Sequence, residues 1–133
     1  MAPPLLNQQL MDAASILLVD DDVELLKALT KVLEKEGYTV TAKAEAQGAL
    51  DYVNASPLRP DVVITDVSMP GLTGTELLAA IKQTLPDIPV IIITAFGEWD
   101  QYMDALRLGA FAYITKPLDK IELLTTVRRA LTK

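Results

Sequence analysis

The sequence predicts an α/β domain built on a parallel sheet, and three observations carry that expectation. Short apolar runs of strand length recur at about residues 15–20, 38–43, 61–65, 89–94 and 111–115. Segments whose apolar residues repeat at helical spacing separate them. The runs Val62-Val63-Ile64 and Val90-Ile91-Ile92-Ile93 are continuous and do not alternate with polar residues, as parallel strands covered on both faces do. Five βα units in strict alternation give one parallel sheet with right-handed crossovers. A chain of 133 residues suits a single domain of this kind.

Strand one, Ile16-Leu17-Leu18-Val19, runs straight into Asp20-Asp21-Asp22. Helix one carries the stripe Leu25/Leu26, Leu29, Val32/Leu33 and closes at Gly37. Helix two carries Ala46, Ala49/Leu50 and Val53, and Pro57 and Pro60 flank the loop before strand three. Thr73-x-x-Glu76 reads as the capping pair of helix three, whose stripe is Leu77/Leu78, Ile81 and Leu85. Gly71 and Gly74 read as turn residues of the loop before it. Met103 and Leu106 supply a shorter stripe for helix four. The last helix starts at the pair Asp119-x-x-Glu122 and should bury Ile121, Leu124, Val127 and Leu131. Residues 1–14 hold no Lys or Arg and have Pro3-Pro4 near the start, so they read as a short extension and not as a targeting signal. The domain is then 15–133.

Composition narrows the chemistry. A net charge of −6 argues against this domain gripping nucleic acid or an anionic membrane, both of which need a cationic face. The longest apolar window is far too short to span a bilayer, and the expected location is cytoplasmic. There is no Cys and no His. Thiolate and imidazole metal sites, and imidazole acid–base catalysis, are therefore excluded within the chain. Carboxylates, hydroxyls and amines remain.

Those groups fall in a pattern. Strand one ends at Asp20-Asp21-Asp22, strand three at Asp66, strand four at Thr94 and strand five at Thr115-Lys116. Ends of parallel strands share one edge of the sheet, where open α/β sheets bind ligands. Taken singly, each residue has a plain structural reading: an Asp as helix N-cap, a Thr as structural hydroxyl, a Lys as solvated surface charge. Asp22 fits the first of these, at the start of helix one. The plain readings do not explain why four of five strands deliver a polar residue to one edge. Two carboxylates about 4 Å apart repel by about 4 kcal/mol near a protein surface, and one lysine cannot neutralise three. A hard divalent cation with oxygen ligands can, and Mg2+ suits an incompletely caged site. With a hydroxyl and an ammonium beside it, the set fits stabilisation of a transferring phosphoryl group.

On the motifs Leu18-Val19-Asp20-Asp21-Asp22, Asp66-Val67-Ser68-Met69-Pro70-Gly71, Thr94-Ala95 and Lys116-Pro117, the chain resembles the receiver domain of bacterial two-component response regulators over about residues 15–131. The resemblance implies a flavodoxin-like (βα)5 fold, doubly wound, with five parallel strands in the order 2-1-3-4-5. It implies that Asp66 is the phosphoacceptor, taking a phosphoryl group from a phosphohistidine. Asp21 and Asp66 would bind Mg2+ directly, joined by the backbone carbonyl of Ser68, with Asp20 acting mainly through a water. Lys116 would pair with the phosphoryl oxygens, and its bond to Pro117 would be cis. Thr94 would donate to the phosphoryl group and move towards it, with the Tyr113 side chain following. The expected partners are a sensor histidine kinase or phosphotransfer protein and a downstream protein or fused output domain. The face of helix four, strand five and helix five would switch. Such a domain signals and is not a multiple-turnover enzyme.

Departures from the family's common patterns matter too. Ser68 and Phe96 stand two residues after Asp66 and Thr94, positions that tune aspartyl-phosphate lifetime. Neither is an acid or amide able to orient a hydrolytic water, which predicts slow self-dephosphorylation. The segment Gly97-Glu98-Trp99-Asp100-Gln101-Tyr102-Met103 holds the only Trp; it reads either as half-buried packing or as a partner-binding face. Two other functions compete. Asp20-x-Asp22 fits the opening of a haloacid-dehalogenase-type phosphatase motif, but Glu24 occupies the place of its Thr or Val. A docking domain independent of phosphorylation is the third reading, against which the complete acidic and lysine set stands. Met1 with its own extension suggests a natural start; whether the domain stands alone or belongs to a longer regulator is open.

Overall fold

A computed structural model describes residues 13–55, 59–67, 69, 71–72, 74–95, 103–104 and 106–132. Five strands, β1 (Ser15–Val19), β2 (Thr39–Lys43), β3 (Val62–Asp66), β4 (Val90–Thr94) and β5 (Ala112–Thr115), form one parallel sheet in the order β2-β1-β3-β4-β5. Helices α1 (Val23–Lys35), α2 (Ala46–Ala55), α3 (Gly74–Thr84) and α4 (Lys120–Leu131) cover it. The expected strand order and the α/β class are both present. Between β4 and β5, where a further helix is expected, residues 103–104 and 106–107 are helical.

Alternate residues of the strands feed two cores. Leu17, Val19, Val63 and Ile92 pack with α2 and α3 through Ala49, Val53, Leu77 and Ile81. Ile16, Leu18, Ile64, Ile91 and Ile93 pack with α1 and α4 through Leu29, Leu33, Leu123 and Val127. β3 and β4 are buried along their whole length, which is why their sequences lack alternation. Leu33, fully buried in the second core, marks the last inward turn of α1. Gly37, at φ +99°, then ends that helix, with its N–H donating to Glu34 O at 3.0 Å and the Tyr38 N–H to Leu33 O at 3.3 Å. Gly71, at φ +76°, makes the turn expected of it, whereas Gly74 opens α3. Thr73, Pro57 and the expected capping pair of α3 fall outside the described residues.

Two expected apolar stripes are corrected. In α4 the buried residues are Leu123, Thr126, Val127 and Ala130, while Ile121 is 74% exposed and Leu124 and Leu131 are only partly covered. Both sets obey helical spacing and share Val127, so periodicity alone cannot choose between them. Thr126 tipped the balance out of sight: its hydroxyl donates to Glu122 O at 2.7 Å, which lets a threonine face the core. Met103 and Leu106 share a helical face as expected, but that face is exposed. Asp119 does cap α4, accepting from Ile121 N–H at 3.1 Å.

Candidate functional site

Register carries the polar strand ends to one edge. Val19 lies opposite Thr65 and Asp66 opposite Ile93, so Asp20 and Asp66 emerge side by side from β1 and β3. Thr94 lies opposite Thr115 at the ends of β4 and β5, and Lys116 follows at once. The backbone ties these ends further: the Asp20 N–H donates to Lys43 O at 3.2 Å and the Lys116 N–H to Thr94 O at 2.7 Å. The Lys116–Pro117 peptide is cis.

At that edge, carboxylate oxygens of Asp20, Asp21 and Asp66 all lie within 4.8 Å of one another. Asp20 and Asp66 are buried and Asp21 is exposed. Lys116 Nζ donates to Asp66 Oδ2 at 3.0 Å and lies 3.1 Å from Asp20 Oδ2. The second contact is an ion pair, so the buried Asp20 Oδ2 faces the lysine's charge. Its other oxygen, Oδ1, accepts from the Asp22 N–H at 2.8 Å.

The charges respond accordingly. Burial pushes the Asp20 carboxyl above the usual carboxylate range; the Asp22 amide and the Lys116 ammonium pull against it, and the Asp66 carboxylate adds to the rise. Burial opposes the charge on Lys116, but bonding to Asp66 and Asp20 outweighs it and holds the ammonium above the usual lysine range. The two shifts look inconsistent for one ion pair. They are not, because the attraction of one ammonium is divided between two carboxylates, whereas the desolvation of Asp20 is all its own.

Such a site fits a hard divalent cation. Among the described residues the clustered donors are carboxylate oxygens, two of the three carboxylates are buried, and the one ammonium beside them leaves the cluster net negative. Asp20, Asp21 and Asp66 could hold the ion. Thr94 is buried at the end of β4, and Tyr113 is half-buried in β5, packed against the α2–α3 core. Ser68, Phe96, Trp99 and Tyr102, and the roles expected of them, lie outside the described residues. One contributor went unseen in the sequence, the main-chain amide of Asp22. An Asp two residues before a helix N-cap is the signal that could have shown it, since an Asp side chain bonds readily to the backbone two residues on.

Comparison with known proteins finds relatives over most of the chain. The family model described as "Response regulator receiver domain" matches residues 16–128. Sporulation initiation phosphotransferase F of Bacillus subtilis is 39% identical over 116 residues, covering 87% of this chain and 92% of that protein. The phosphoglycerate transport system transcriptional regulatory protein PgtA of Salmonella typhimurium is 37% identical over 122 residues, covering 92% of this chain and 29% of that one. A response regulator receiver domain protein from Clostridium thermocellum superposes with a TM-score of 0.84 at 34% identity, covering 89% of this chain and 94% of the other. The chain spans only 24–29% of the transcriptional regulators PgtA, NtrC and DctD and of the response regulator protein FleR that it matches.

Proposed function

Since this chain belongs to the response regulator receiver family, a family of signalling domains that partner with histidine kinases, we propose that it accepts a phosphoryl group on Asp66 in a Mg2+-dependent transfer. The observation that carries this reading is the convergence of Asp20, Asp21 and Asp66 with the Lys116 ammonium 3.0 Å from Asp66. An oxygen of Asp66 attacks the phosphorus of a phosphohistidine on a sensor kinase or phosphotransfer protein. A P–O bond forms, the P–N bond breaks, and the imidazole leaves. Lys116 pairs with the phosphoryl oxygens, and Thr94 donates its hydroxyl to them. Bound to Asp21 and Asp66, with Ser68 O and a water from Asp20, Mg2+ would offset the negative charge that otherwise repels the phosphoryl oxygens.

The phosphorylated site then biases Thr94 and Tyr113, and through them the face formed by the β4–β5 connection, β5 and α4. Four large apolar side chains of that connection, Met103, Leu106, Leu108 and Phe111, are at least 40% exposed, as a surface for a downstream protein or output domain would be. We take residues 15–133 as the receiver unit, residues 1–14 as an extension, and the cytoplasm as its place of action. Among the described residues no helix is long and apolar enough to cross a membrane.

Incubation with acetyl phosphate and Mg2+ tests the reading. The expected result is a phosphoryl adduct by intact-mass analysis that requires Mg2+ and is lost in Asp66→Asn. An adduct that persists in Asp66→Asn overturns the assignment. Phe96 and Ser68, which offer no carboxylate or amide to orient water, should make the acyl phosphate long-lived. Phe96→Glu is therefore expected to speed its hydrolysis by about tenfold, short of the roughly 100-fold or more that a fully positioned general base gives, in a decay assay on purified phosphoprotein; equal or slower decay in the variant refutes that role.

A further inference from the structure

We propose that Asp22 is a positioning residue for the cation site, acting through its cap on α1 to hold the Asp20 carboxylate in its binding orientation. The inference rests on the Mg2+ reading above and adds a residue to it. Asp22 has extended backbone, φ −81° and ψ 99°, and is tied to the first turn of α1 at two points. Its Oδ1 accepts from the Leu25 N–H at 3.1 Å, and its carbonyl accepts from the Leu26 N–H at 2.9 Å. Held from the helix side, residue 22 presents its own N–H to Asp20 Oδ1 at 2.8 Å.

That amide decides which way a buried carboxylate faces. With Oδ1 engaged by the amide, Oδ2 is the oxygen turned to the Lys116 ammonium. Without the amide, the Asp20 carboxylate could rotate about its χ2 and leave Lys116 as its main constraint. The Asp22 carboxylate itself is outside the cluster of oxygens formed by Asp20, Asp21 and Asp66. Its contribution therefore runs through the cap and the main chain, and a neutral side chain that caps equally well should serve. A carboxylate that caps poorly should not.

The full chain carrying Asp22→Ala, Asp22→Asn, Asp22→Ser or Asp22→Glu separates these roles in an NMR titration with MgCl2. Asp22→Ala and Asp22→Glu are expected to bind Mg2+ about 3- to 10-fold more weakly than wild type, the lower end of what losing an outer-shell partner costs. Asp22→Asn and Asp22→Ser, whose side chains cap a helix well, should stay within about twofold. A metal-free readout runs beside it: hydrogen exchange at the residue-22 amide should speed up in the Ala and Glu variants and stay slow in the Asn and Ser variants. Asn weakened as much as Ala, or Glu binding like wild type, would show that charge and not capping is what matters, and overturn the proposal. So would unchanged affinity in Ala. Should Ala fail to fold, the Asn and Glu pair decides. A wild-type chain that shows no Mg2+-dependent shifts would instead sink the cation reading itself, with amide exchange still judging the cap.

Discussion

Lys116→Met is expected to destabilise the domain by about 2 kcal/mol and to slow Asp66-dependent phosphorylation at least about 100-fold. The stability loss follows from what the ammonium leaves behind. Asp20 and Asp66 are buried with oxygens close together, and among the described residues Lys116 is the cation within 4 Å of both. Removing one partner of a fully buried ion pair costs about 3–5 kcal/mol. The lysine side chain is 26% exposed, so water partly replaces it, and Asp20 can take up a proton because burial already favours its neutral form. Both effects bring the figure down. Methionine keeps the apolar stem and its packing, which isolates the charge. Urea unfolding of the metal-free protein at neutral pH measures the loss, and the double variant Lys116→Met, Asp66→Asn should recover part of it by removing one of the mutually repelling carboxylates. A single variant as stable as wild type would show that the pair contributes nothing. The kinetic loss has a separate origin, the loss of the cation that faces the incoming phosphoryl oxygens, so it should persist in conditions where the variant is fully folded.

The contrast between the sheet edge and the helix faces shows what this sequence discloses. Strand ends were legible because burial on both sides makes β3 and β4 uninterrupted apolar runs, and any polar residue closing such a run marks the edge of the sheet. Asp66 and Thr94 do so, while Lys116 follows the shorter, half-buried β5. Helix faces were less legible. α4 holds two stripes at helical spacing, and the buried one includes Thr126, whose hydroxyl is satisfied by Glu122 O within its own helix. A reading by polarity assigns Thr126 to solvent and Ile121 to the core, the reverse of what packing gives. Met103 and Leu106 fail for a related reason, since spacing puts them on one face without saying which side meets the sheet. At the candidate site the meeting of Asp20, Asp21, Asp66 and Lys116 was readable, but the amide of Asp22 was not, because a backbone hydrogen-bond donor is present at every residue except proline and only geometry singles one out.

Asp20→Asn should have the opposite sign, raising the metal-free melting temperature at neutral pH by about 3–5 °C, the size of ~1 kcal/mol in a domain of this length. Burial raises the Asp20 carboxyl above the ordinary aspartate value of 3.8, so its ionisation costs folding free energy. A group raised in the folded state contributes stability that is fully present below its unfolded value and is lost as pH rises through the folded one. Asparagine never ionises, so it escapes that loss, while its side-chain oxygen can still accept from the Asp22 N–H. The advantage of Asp20→Asn should therefore vanish below about pH 3.8, where Asp20 is neutral anyway, and grow towards neutral pH. Lys116 stays charged throughout, since its own raised range lies far above. Thermal melts of both proteins across this range test the sign, and a variant less stable than wild type at neutral pH, or a difference independent of pH, refutes the argument. Mg2+ should then reverse the ranking. A ligand that binds only the folded state stabilises it in proportion to the logarithm of its concentration over Kd, and wild type, with its full carboxylate set, gains more than the variant. The ionised Asp20 that costs the empty domain stability is thus the group that makes the domain responsive to the cation, and a melting-temperature difference that changes sign with MgCl2 is the expected mark of that exchange.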